Sequence, residues 1–146
     1  MTDLKSGILE FEEMTITSQT TKKEFDIKFE KVISPASNQR FVYLLKLSSL
    51  DDTLFGATFM FADNGKISSV KLSPFITYKS EEWDRTGMQE ERRQFCDKWL
   101  LDRLGTPHKT INGDIEYAFD SHTISCFSNF DIRDGANAGY IVVAYK

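Results

Sequence analysis

Between Thr86 and Leu104 the chain has little choice of conformation. Met88, Phe95, Cys96, Trp99, Leu100 and Leu104 recur at spacings of three, four and seven, so in a helix they share one side, while Glu90, Glu91, Arg93, Gln94, Lys98 and Asp102 take the other. The ends are marked as well. Thr86 with Gln89 makes a capping box, Arg103 lies in the last turn, Gly105 suits the left-handed position beyond it, and Pro107 blocks continuation. The charges crowded into this stretch are therefore a solvated face. An apolar stripe of this kind is stable only when something covers it, and the rest of the chain offers strands.

Residues 8–17, ILEFEEMTIT, alternate as a strand would, with a slip at Glu12-Glu13 that reads as a bulge. The period then changes. Thr21 with Glu24 forms a capping box and Phe25, Phe29 and Val32 fall near helical spacing, which predicts a short helix over 21–31. Turn formers from Ser34 to Asn38 lead into RFVYLLKLSSL, a strand buried on most of its faces and broken by Asp51-Asp52. Residues 53–62 and 66–73 flank Asp63-Asn64-Gly65, and Asn-Gly between apolar runs is a strong hairpin signal because both residues tolerate positive φ.

After the long helix, DIEYAFD, HTISCFSNFDI and YIVVAY make a second meander. The order is β-α-β-β-β-α-β-β-β, a helix plus a three-stranded antiparallel meander twice over, at about 21–73 and 80–146. That doubling lies in the order of elements and not in residue identity. The expected fold is α+β, with two lobes whose helices pack on one face of antiparallel sheet. A chain of 146 residues suits one core, and with no Pro-, Gly- or Ser-rich linker the whole of 1–146 is read as a single domain.

Charge narrows the function. The chain carries −4 overall, with 9 basic against 10 acidic residues in 1–73 and 9 against 12 in 74–146. Neither half has the clustered Lys and Arg that a phosphate backbone demands, so no nucleic acid is expected, and a partner, if present, is a protein and more naturally a basic one. No stretch of about 18 apolar residues exists to span a bilayer, and the N-terminus lacks the features of a signal peptide; the expectation is a cytoplasmic protein without a membrane partner. Cys96 and Cys126 sit within apolar patterns and read as buried free thiols, with one disulfide as the alternative.

No catalytic or metal motif is evident, and no cofactor is expected. The glycine-flanked serine elbow is missing, as are paired cysteines, His-Glu-x-x-His and a calcium loop. His122 and Cys126, four apart on one expected strand, lie on the order of 13 Å from each other and make no dyad. Phe55 to Phe61 has the look of an aromatic RNA-reading strand but lacks its basic lead residue, and reads as sheet packing.

Three features remain as candidate protein contacts. Asp51 and Asp52 are turn formers that also expose acid. Glu81, Glu82, Trp83 and Asp84 set a large aromatic among acids, either folded back over the sheet or available as an interface anchor. Arg133 and Asp134 open a loop longer than a hairpin needs. In size, acidity and strand-rich layout the chain resembles the immunity proteins that neutralise bacterial toxins. The resemblance is one of class, with no motif behind it, and it implies a non-catalytic inhibitor that meets a basic toxin through acidic surface. The alternative is a small-ligand carrier or enzyme with a pocket between the meanders, drawing on His108, His122, Cys126, Arg133 and Tyr140. A homo-oligomeric scaffold is a third reading.

Overall fold

The computed structural model describes residues 2–28, 32–33, 41–44, 47–111, 114–126 and 139–146. The chain enters through a 3-10 turn, Leu4–Ser6, that Asp3 caps and Gly7 closes at φ 74°. Two short strands follow, β1 (Leu9–Glu10) and β2 (Thr15–Ile16), paired with Leu9 opposite Ile16. The Phe11 N–H donates to the Met14 carbonyl at 3.0 Å, so Glu12-Glu13 is the tip of a hairpin and not a bulge within one strand. Folding back buries Leu9, Phe11 and Ile16 while leaving both carboxylates at the turn.

Helix α1 (Lys22–Lys28) opens with the expected capping box, Glu24 N–H donating to Thr21 Oγ1 at 3.2 Å and Thr21 N–H to Glu24 Oε2 at 3.4 Å. Next come β3 (Val32–Ile33), β4 (Phe41–Leu44), β5 (Ser48–Leu50), β6 (Thr53–Phe61) and β7 (Ile67–Pro74). The expected strand over 40–50 is thus two strands, β4 and β5, each paired with a different part of β6. The β6–β7 turn is the Asn-Gly hairpin, with Gly65 at φ 82° and Asn64 Oδ1 accepting from the Lys66 N–H. Helix α2 (Arg85–Leu104) leads to β8 (Lys109–Ile111), β9 (Asp114–Ala118), β10 (His122–Cys126) and β11 (Ile141–Tyr145). Strands β3 and β8, at the two ends of the sheet order, are too short to leave a period in the sequence.

All strands after α1 belong to one sheet, in the order β3-β4-β6-β7-β11-β10-β9-β8, with β5 also on β6. The two meanders meet through their last strands, β7 and β11, antiparallel with Val143 opposite Val70. They are therefore continuous sheet and do not face each other across a cleft.

Alternation on β6 sorts the two sides. Phe55, Ala57, Phe59 and Phe61 are buried, while Leu54, Gly56, Thr58 and Met60 point the other way. On the buried side Phe25 of α1 lies 4.6 Å from Phe59 and 5.4 Å from Phe61, Phe11 lies 5.6 Å from Phe59, and Trp99 of α2 meets Phe55 edge-on at 5.3 Å. Each such aromatic contributes about 1.5–3 kcal/mol by leaving water. The N-terminal hairpin and both helices thus cover the same face. The opposite face carries Thr58, Ser69, Lys71, Ser73, Thr123, Ser125, Val142 and Ala144 at the intervening positions.

Candidate functional site

One corner of the sheet combines exposed apolar surface with unbalanced acid. Leu50 pairs with Thr53, so Asp51 and Asp52 form the entire loop of the β5–β6 hairpin. A two-residue loop matches strand twist only with positive φ, and Asp51 supplies it at φ 57°, where a short polar side chain is among the few that are tolerated. Arg103, from the last turn of α2, lies against both acids, Nε 3.5 Å from Asp51 Oδ2 and Nη2 3.4 Å from Asp52 Oδ1. Its guanidinium also covers the Trp99 ring at 3.9 Å, and Trp99 Nε1 donates to Thr53 Oγ1 at 3.1 Å. The C-terminal end of α2 is thereby fastened to the hairpin. Two carboxylates share one cation, and the Asp52 side chain is 90% exposed.

Beside this tip the side of the sheet opposite the helices turns apolar. The Phe75 N–H donates to the Leu54 carbonyl at 3.0 Å, extending β7's pairing by one residue and setting Phe75 opposite Leu54. Phe75 is 64% exposed, Leu54 43% and Leu47, one residue before β5, 41%. Three large apolar side chains in so small an area, on a face otherwise rich in Ser and Thr, form a patch of the kind that marks contact with another molecule. Gly56 lies among them, opposite Ser73. A glycine inside a strand costs about 0.5–1 kcal/mol relative to alanine; here φ is ordinary, and among the described residues an added Cβ would meet only the Ser73 carbonyl, at 3.9 Å. Gly7 is the contrast, with φ 74° and a Cβ position 2.9 Å from the His122 ring.

The other group of acids lies elsewhere. Asp84 is the N-cap of α2, its Oδ1 accepting from the Gly87 N–H at 3.0 Å, so the helix starts at Arg85 and the expected Thr86–Gln89 box gives way to it. A carboxylate held at the positive end of the helix is the stronger acceptor. Glu91 reaches back to accept from the N–H groups of Lys79 and Ser80, at 2.7 and 2.9 Å. The Ser80 hydroxyl, followed by those N–H groups, holds the Glu91 carboxyl below the usual carboxylate range. Glu81, Glu82 and Trp83 project from this loop, Trp83 at 82% exposure, so its ring is not folded onto the sheet. From Arg85 to Arg103 the helix rises about 27 Å at about 1.5 Å per residue. Asp51 and Asp52 at one end and Glu81 to Asp84 at the other are two separate regions. Arg133 and Asp134 lie outside the described residues.

The titratable groups considered for a pocket are dispersed or engaged. His122 is fully buried; Nε2 donates to the Leu4 carbonyl at 2.7 Å and Ser121 Oγ lies 2.8 Å from Nδ1, which pins the N-terminal turn to β10. The Phe119 ring separates it from His108, at 4.9 Å from one imidazole and 5.4 Å from the other. Tyr140 lies beneath the Lys71 ammonium at 4.5 Å. Cys96 and Cys126 are free and buried. They meet where α2 crosses β10, and the neighbouring Cys96 thiol, with burial, pushes the Cys126 thiol far above its ordinary range. Asp97 adjoins them, paired with Arg93 Nη1 at 2.6 Å through Oδ2; burial raises its pKa, and its Oδ1 has no hydrogen-bond partner among the described residues.

The apolar corner escaped the sequence reading, although one signal was present. Leu54 and Phe55 are adjacent in an alternating strand, and only one of them can face the core. No protein-family model matches the chain, and neither does any curated protein or solved structure. No described helix is long and apolar enough to cross a membrane. Among the described residues no three of His, Cys, Asp and Glu gather at metal-binding distance.

Proposed function

We propose that this chain is a non-catalytic, cytoplasmic protein-binding module of the inhibitor class that includes toxin immunity proteins, and that it docks through the corner formed by the β5–β6 hairpin and the end of β7. The observation that carries this reading is the exposure of Phe75, Leu54 and Leu47 together, on a face that the hairpin and helices leave uncovered, next to an under-neutralised pair of carboxylates. Apolar anchors supply most of the energy at such interfaces, and flanking charge chiefly sets association rate and partner choice. A basic partner is favoured by the tip as well as by the net charge of −4. We also read the two helix-plus-meander halves as an ancestral doubling, supported by the way their last strands pair.

The test is affinity capture from the native cell with wild-type protein and a Leu54→Ser/Phe75→Ser double variant, followed by calorimetry with each identified partner. The reading expects affinity to fall by about 100-fold or more in the double variant, as loss of about 2.8 kcal/mol requires. Equal affinity of both proteins for every partner would refute it.

A further inference from the structure

We propose that Ser121, at the β9–β10 turn, is a base-activated nucleophile that takes up one acyl group from an activated ester or thioester. The count of protons carries this. His122 Nε2 lies 2.7 Å from the Leu4 carbonyl oxygen, which can only accept, so Nε2 bears the hydrogen. In the neutral imidazole Nδ1 then has only a lone pair, and the Ser121 hydroxyl, 2.8 Å away, must donate to it. A hydroxyl that donates to a neutral imidazole, whose far N–H is held by an acceptor, is the arrangement that activates a serine; here a backbone carbonyl stands where a carboxylate is usual.

The pair is held as a unit. The Phe119 N–H donates to the His122 carbonyl at 2.9 Å and closes the turn, and Lys146 fastens it, its N–H donating to the Ser121 carbonyl at 3.0 Å and its Nζ to the Phe119 carbonyl at 2.6 Å. The imidazole is fully buried and stacked on Phe119. An added Cβ on Gly7 would stand 2.9 Å from Nδ1, so a glycine is what lets the N-terminal turn lie against the ring. Ser121 itself is half-buried, at the tip of the hairpin. In the reaction Ser121 Oγ bonds to the acyl carbon, and the bond from that carbon to the leaving oxygen or sulfur breaks. The hydroxyl proton passes to His122 Nδ1 and from there to the leaving group, so the products are an O-acylserine and an alcohol or thiol. The Leu4 carbonyl, accepting from Nε2–H, stabilises the transient imidazolium. Each chain is modified once, and the docking reading neither requires this nor is altered by it.

The experiment treats the intact protein with p-nitrophenyl acetate, in buffer and in urea, and follows acetylation of Ser121 by peptide mapping together with release of nitrophenolate. The expected result is acetyl on Ser121, formed about 100-fold or more faster in the folded chain than in the unfolded one, since a positioned base contributes about 10²–10⁴-fold. Ser121→Ala should lose that fast release. Ser49, whose hydroxyl donates to the Asp51 carbonyl at 2.9 Å, is the internal control and should gain nothing from folding. His122→Phe keeps a ring against Phe119 but has no Nδ1; where thermal melting shows it folded, its labelling at Ser121 should drop to the rate in urea. The wild-type comparison between buffer and urea needs no variant, so it decides the matter if His122→Phe does not fold. No acetyl at Ser121 in the folded protein, an equal rate in urea, an equal gain at Ser49, or unchanged labelling in a folded His122→Phe would each overturn the proposal.

Discussion

The two ends of α2 both carry acids and a tryptophan, yet the chain uses them in opposite ways. At the C-terminal end Trp99 is buried under Arg103, and that arginine ties the helix to the Asp51-Asp52 hairpin. At the N-terminal end Trp83 stands in solvent, while Asp84 and Glu91 spend their carboxylates on backbone N–H groups. Asp84 and Glu91 thus bind backbone beside the free tryptophan, whereas Asp51 and Asp52 bind a side chain, Arg103, beside the locked one. Density of charge in a sequence does not separate these cases; the kind of partner each carboxylate meets does.

The sharpest way to break the contrast is to remove each ring. Trp99→Ala is expected to cost about 3–5 kcal/mol in urea unfolding, through the lost contact with Phe55 and the lost bond to Thr53, whereas Trp83→Ala should stay within about 0.5 kcal/mol. Equal effects would erase the distinction. Next in size are the acids themselves. Asp84→Ala removes a helix cap and should cost about 1 kcal/mol by the same measurement, against less than about 0.5 kcal/mol for Asp52→Ala, whose ion pair is exposed.

A pH series sharpens the comparison further, because two carboxyls of α2 shift in opposite directions. Glu91 is held below its ordinary 4.5, so the stability it confers is complete above that value and is lost as pH falls through its lowered folded value. Asp97 is raised by burial, so its contribution has the reverse sign: it favours the fold at low pH and weakens as pH climbs past the ordinary 3.8. Glu91→Gln should flatten the acid limb of the stability curve, and Asp97→Asn should steepen the rise of stability with pH. The smallest signal is chemical. With Cys126 raised and both thiols buried, neither should react with a thiol reagent at pH 8 in the native protein, and both should react once it is unfolded.

Much of the fold was legible because its signals are local. The long helix announced itself by period, α1 by Thr21 and Glu24, the central hairpin by Asn64-Gly65 and the class by the order of elements. What was not legible depends on contacts between distant residues. Nothing near Glu12-Glu13 distinguishes a bulge from a turn until Leu9 and Ile16 are seen to pair. Asp84 displaced the expected capping box because the loop before α2 is held by Glu91, seven residues on. The candidate site was half visible: Asp51 and Asp52 stood out as an acidic turn, but Leu54 and Phe75 look like core residues until register sets them opposite each other on the face away from the helices.

The central claim is that contact is made at the Phe75 corner and not at the Trp83 loop. Photo-crosslinking in the native cell, with a benzophenone amino acid placed at position 75 in one variant and at position 83 in another, addresses this directly. A discrete adduct from position 75 and none from position 83 is the expected result. An adduct from position 83 with none from position 75 would contradict it.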